Sequence, residues 1–159
     1  MYRRSMLTLR IRKTFASLSE GSFLRLWIGL QIMSLATHMQ MLTRTYLTYE
    51  LTRSGLILAV VSASWTIPIL IFSLFGGVVA DRVDRKILIQ VSQAGIGLIA
   101  ILVGILITTN TVAWGHLITA GFLQGCCWSA LNPARQAIIP QMVSADKLTN
   151  AIALTSAGM

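Results

Sequence analysis

Charge is what this sequence has least of. Charged residues fill 11% of its 159 positions and only 5 are acidic, against about 25% charged in an ordinary soluble domain. A chain of this length could enclose a core in water, but too few polar groups would remain to cover that core. An ordinary soluble domain is thereby excluded. Cysteine is scarce as well: the 2 cysteines, Cys126 and Cys127, are neighbours in an apolar run. A disulfide between adjacent residues is strained and no ligand spacing surrounds them, so they offer neither a disulfide framework nor a metal site. No Gly-x-x-x-x-Gly-Lys-Ser/Thr loop occurs, so the signature of an ATP-driven pump is missing from these residues. No nucleophile, base and orienting group converge by spacing; neither an enzyme nor a cofactor is expected.

What the sequence does contain is apolar residue after apolar residue, 55% of the total, with a mean hydropathy of +0.72. They are gathered into runs. Leu26 to Thr43, Ser54 to Ala80 and Ile87 to Ala134 carry no charged residue. A helix rises 1.5 Å per residue and needs about 20 residues to cross the hydrocarbon, so the third run is long enough for two crossings. Asn110, with Thr108, Thr109 and Thr111 around it, divides that run. A barrel would need alternating segments of about ten residues, whereas these runs are apolar on all sides. The fold class expected is an all-α integral membrane protein. Its helices are predicted near 23–50, 55–80, 87–108 and 112–132, with a fifth starting from about 148.

The net charge of +8 is distributed as a membrane topology signal. Arg3, Arg4, Arg10, Arg12, Lys13 and Arg25 precede or open the first run; Arg82, Arg85 and Lys86 follow the second; Arg135 and Lys147 follow the fourth. The alternate side holds Arg44 and Arg53. This bias places residues 1–22 in the cytoplasm as a basic amino-terminus and 23–159 in the transmembrane bundle. No basic stripe alternates with aromatics, and no nucleic-acid partner is expected. The basic start and the apolar stretch Phe23 to Ala36, with small residues at Ser34 and Ala36, share features with a signal peptide. The basic region is too long for one, and the helical pattern continues to Glu50, so an uncleaved first helix is expected.

Some positions carry more than lipid solubility. In the first span Thr37, Gln40, Arg44 and Thr48 recur at spacings of 3, 4 and 4, on one helical face. A polar stripe within a span faces a cavity or a neighbouring helix rather than lipid. Gln40 is read as cavity-lining. Arg44 has two readings: it snorkels toward the outer surface, or it meets an anionic group of a substrate. Gln124 is a further cavity candidate, within a Gly121-x-x-x-Gly125 pattern that favours close helix packing. Pro68 is expected to kink the second helix. His38 lies off the polar face and is read as a packing hydrogen-bonder.

The segment between the second and third helices is Gly76-Gly77-Val78-Val79-Ala80-Asp81-Arg82-Val83-Asp84-Arg85-Lys86. It resembles the signature loop of the major facilitator superfamily, Gly-x-x-x-Asp-Arg-x-Gly-Arg-Lys, with Gly77, Asp81, Arg82, Arg85 and Lys86 at matching positions. Asp84 stands where that pattern has glycine, so the turn is less free to adopt positive φ. Asn132-Pro133-Ala134-Arg135-Gln136-Ala137-Ile138-Ile139-Pro140 and Leu47-Thr48-Tyr49-Glu50-Leu51-Thr52 are similar to an efflux branch that includes siderophore (enterobactin-type) exporters and macrolide-type pumps.

This resemblance implies a partial amino-terminal six-helix bundle. The missing carboxy-terminal half of the same transporter would be its partner, and a bacterial inner membrane its location. It implies export of a drug-like or siderophore-like small molecule by alternating access, coupled to an ion. Asp81 would serve as a conformational latch at a helix of the other half, with Arg82 and Arg85 paired to carboxylates. Pro133, Arg135 and Pro140 would lie in the cytoplasmic loop after helix four. Proton antiport is implied too, although no Asp or Glu lies mid-span in these residues. The alternative from another class is a non-transporting membrane scaffold or subunit of four or five helices.

Overall fold

The computed structural model describes residues 20–157, with side chains other than those of 74–82, 145 and 157. Arg3, Arg4, Arg10, Arg12 and Lys13 lie outside the described residues, as do the side chains of Gly77, Asp81 and Arg82. Five α-helices are found: α1 (Gly21–Thr52), α2 (Gly55–Arg82), α3 (Arg85–Thr108), α4 (Trp114–Ile138) and α5 (Leu148–Ala157). Short 3₁₀ turns cover Ile139–Gln141 and Ala145–Lys147, and no strand occurs among the described residues. The all-helical expectation holds among the described residues, where four long helices and a short fifth are present.

Helix ends are set by local chemistry. Asp84 caps α3: its Oδ1 accepts the Lys86 N–H at 2.8 Å, its φ of −55° needs no glycine, and its charge faces the positive end of the helix. The departure from the glycine of the signature loop therefore has a structural use. At the far end of α3, Asn110 takes φ 56°. The Asn110 N–H donates to the Ile107 carbonyl at 3.1 Å and the Thr111 N–H to the Leu106 carbonyl at 3.0 Å. This is the paired bonding of a Schellman stop, and asparagine is the residue after glycine that best tolerates that conformation. His116 then braces the start of α4, its Nδ1 accepting the Ala113 N–H at 3.1 Å. Arg53 ends α1 in the same left-handed region, φ 50°, its N–H on the Tyr49 carbonyl at 2.8 Å and its guanidinium 5.6 Å from the Tyr49 ring.

The expected loop after helix four needs correction. Pro133 and Arg135 belong to α4, which continues to Ile138; of the three residues assigned to that loop, Pro140 alone follows the helix, in the first 3₁₀ turn. Proline inside a helix removes one backbone bond, here toward Ser129, without forcing a stop. Arg135 is only 2% exposed and occupies the last turn of α4, where a cation suits the negative end of the helix.

The Gly55–Ser73 stretch of α2 and all of α3 are long and apolar enough to cross a bilayer, each with mean hydropathy 2.2. Only 17% and 11% of these stretches is buried within the protein, whereas the core helix of a soluble protein would be mostly buried. Four crossings are predicted from the uncharged runs, yet two helices meet the apolar standard. The reason is dilution: α1 carries Gln31, Thr37, Gln40 and Arg44, and α4 carries His116, Gln124, Asn132 and Arg135. The hydroxyls of α1 are satisfied within the helix, Thr37 on the Met33 carbonyl and Thr48 on the Arg44 carbonyl at 2.8 and 2.7 Å. Such back-bonding lets a polar helix reside in a medium without water.

The chain forms two compact units, Met39–Gln136 and a second built from 20–38 with 137–157. In the second, Phe23, Ile139 and Ala151 are buried, with Trp27, Met142, Val143 and Leu148 packed on them. The Trp27 Nε1–H donates to the Leu154 carbonyl at 3.3 Å, and Lys147 Nζ meets Glu20 Oε1 at 2.8 Å.

Candidate functional site

The site lies in the Met39–Gln136 unit and starts from the way α4 meets α2. A Cβ placed on Gly125 would stand 2.6 Å from the Trp65 carbonyl oxygen and 3.1 Å from Pro68 Cγ. One on Gly121 would collide with the Ser64 hydroxyl and stand 3.0 Å from Arg44 Nη1. Glycine at both positions thus lets α4 approach the α2 backbone, the use expected of small residues between membrane helices. The Trp65 and Trp128 rings meet edge to face beside them, centroids 5.9 Å apart.

That approach presents Gln124 to α1. The Arg44 guanidinium donates through Nη2 to Gln124 Oε1, and Gln124 Nε2 donates to Gln40 Oε1 at 2.7 Å. The guanidinium also lies 6.0 Å from the Trp65 ring centroid, at the outer limit of a cation–π contact. Gln124 is 2% exposed, and burial at that level requires both ends of its amide to be satisfied, as they are. The relay therefore joins Arg44 and Gln40 of α1 through Gln124 of α4. Thr48, fully buried, donates to the carbonyl of Arg44 itself and steadies that turn. The Arg44 side chain turns onto Gln124 and Trp65.

A cavity of about 220 Å³ opens beside the relay. Its polar lining is Gln40, Thr43, Arg44 and Gln124, and its apolar lining comes from α1, α3 and α4, with Leu47, Val103, Ile107 and Leu117 among it. Gln40, Arg44 and Gln124, three of the four cavity candidates, are thus together at one cavity. Thr37 lies in the other unit and is engaged with its own helix. His38 is exposed and in contact with the Ser34 carbonyl at 2.7 Å; since a carbonyl only accepts, Nδ1 carries the proton there. Sequence reasoning missed Trp65, Ser64 and the wall supplied by α3, where apolar residues carry no individual signal. Thr43 and Leu47 were within reach, because they continue the face of Gln40 and Arg44 at helical spacing.

Unburied apolar helices and a third long helix with a polar stripe point to a membrane protein. The match to a family model places it further. Residues 12–159 match the family described as transmembrane secretion effector, and the chain belongs to that family, within the major facilitator superfamily. Neither the curated proteins nor the solved structures compared with the chain gave a match.

Proposed function

We propose that this chain is the amino-terminal part of a secondary transporter that exports small molecules by alternating access, ion-coupled, from the cytoplasm of a bacterium across its inner membrane. Four of its helices, α1 to α4, would span, with the amino-terminus cytoplasmic. A second bundle would complete the central site, as two bundles rocking around one site require. Membership of the family points to a transporter-type membrane protein, which supports the reading. The observation that carries the reading is the relay: three polar side chains from α1 and α4 meet at a cavity inside the bundle, where lipid-facing helices have no use for them. A scaffold would be as well served by apolar packing. The substrate is proposed as drug-like or siderophore-like on the resemblance to the efflux branch.

The test is export from cells carrying the gene. Gln40→Leu with Gln124→Leu is expected to lower export of at least one compound by about tenfold at equal membrane abundance, the loss of one or two hydrogen bonds to a substrate. Asp81→Asn is expected to weaken export as well, by loosening the proposed latch. If no compound of a broad panel is exported above the level of cells lacking the gene, the transporter reading fails and the scaffold replaces it.

A further inference from the structure

We infer that the cavity at the Arg44–Gln124–Gln40 relay is an anion site, so that its ligand is an organic acid: one anionic head on an apolar body. The inference rests on reading this cavity as the substrate site, and it adds the chemistry of the substrate. The argument starts from which groups in the relay can only donate. A guanidinium has donors and no acceptor, so the Gln124 atom it meets must be the carbonyl oxygen. The Gln124 amide nitrogen is then left to donate, and it does so to Gln40 Oε1 at 2.7 Å. That leaves the Gln40 NH₂ at one end of the relay and the remaining N–H groups of Arg44 at the other. Both ends are donors, and both residues line the cavity. A ligand that satisfies them offers acceptors.

Charge points the same way. Among the described residues the one ion pair is Lys147 with Glu20, in the other unit, and no carboxylate faces Arg44. Its hydrogen-bond partner is a neutral amide, which orients the guanidinium without cancelling it. A cation held in a low-dielectric cavity without a counter-ion binds an anion strongly. The rest of the lining, Leu47, Val103, Ile107 and Leu117, takes an apolar body. At about 220 Å³ the cavity is smaller than the roughly 300–1,000 Å³ that takes a whole drug-sized ligand, so it suits the acidic end of a larger molecule or a short acid entire.

The test uses three probes of one shape, hexanoate, hexanamide and hexylammonium, titrated at neutral pH by calorimetry into the full-length protein that carries this chain, in lipid nanodiscs. Hexanoate is expected to bind saturably and about tenfold more tightly than hexanamide, the gain of a charge-assisted over a neutral hydrogen bond, with hexylammonium weakest. Arg44→Gln should bring hexanoate down to the affinity of hexanamide. Gln124→Glu should do the same with Arg44 still present, because the new carboxylate answers the guanidinium; this variant decides alone if Arg44→Gln does not fold. Equal binding of hexanoate and hexanamide by the unsubstituted chain overturns the inference, and so does an unchanged preference in a folded Gln124→Glu protein. The two readings fail separately. Preference for hexanoate with no compound exported leaves an anion site that is not a transport site. Export of neutral or cationic compounds without that preference leaves a transporter with another substrate class.

Discussion

At the scale of single residues, Asp84 shows how a departure from a family pattern acquires a role. Glycine in the signature loop would offer a free turn; aspartate gives up that freedom and gains the Lys86 N–H and the dipole of α3. Asp84→Ala should therefore cost about 1 kcal/mol, and Asp84→Gly only a few tenths, because glycine leaves the cap open to water. Reversible unfolding of the purified protein in mixed detergent micelles measures both; an Asp84→Ala protein as stable as the parent would mean that the cap contributes nothing. The same scale explains Asn110. The composition around it marks a break, and its left-handed φ of 56° is the conformation asparagine tolerates, so this stop was legible in the sequence.

Among elements, the contact of α2 with α4 decides where Gln124 goes. Gly125 stands against backbone, not against a side chain that can swing aside. Gly125→Ala should force the helices apart and destabilise the chain by about 1–3 kcal/mol, the usual range for overpacking. Gly97→Ala in α3 is its control: nothing lies within 4 Å of the added methyl, and alanine favours the helix by about 0.5–1 kcal/mol. A Gly125→Ala protein as stable as the parent would remove the close approach from the account. A different link ties the start of α1 to the second 3₁₀ turn. The hydrogen bond from Lys147 to Glu20 raises the lysine pKa above its ordinary value. A raised lysine contributes stability that is complete below the unfolded value of about 10.4 and is lost as pH rises through the higher folded value. The melting temperature of the parent should thus exceed that of Lys147→Met at neutral pH, by the small margin of an exposed pair, and the two should converge once the pH has risen past the raised folded value of the lysine. A difference that persisted there would mean that the methylene stem, not the charge, matters.

For the whole molecule, the proposed orientation makes one side of the membrane distinct from the other. With the amino-terminus in the cytoplasm, Asn110 lies at the outer surface and Asp84 at the inner one. In a background with Cys126 and Cys127 replaced by serine, Asn110→Cys should react with an impermeant maleimide on intact cells, and Asp84→Cys only after the membrane is opened. The reverse pattern would invert the topology and with it the proposed direction of export. α1 and α4 are the helices whose insertion depends most on their neighbours, since polar groups dilute both and the relay satisfies some of those groups.

The sequence alone determined the solvent. Too few charges remain to cover a core in water, and the long uncharged runs leave helices as the structure that satisfies every peptide group in lipid. It also marked Gln40, Arg44 and Gln124 as polar groups out of place, since a glutamine or arginine within an apolar run is conspicuous wherever it points. The resemblance put Pro133 and Arg135 in a loop, whereas the helix runs on through both, since a membrane helix tolerates proline where neighbours make up for the lost bond. Tertiary structure alone decided that Gln124 meets Gln40 and Arg44, 84 and 80 residues away along the chain. That meeting depends on how α4 is rotated about its axis and how near it comes to α2, which Gly121 and Gly125 settle through contact with Ser64, Trp65 and Pro68. Helical periodicity fixes which residues share a face, and packing fixes which faces meet.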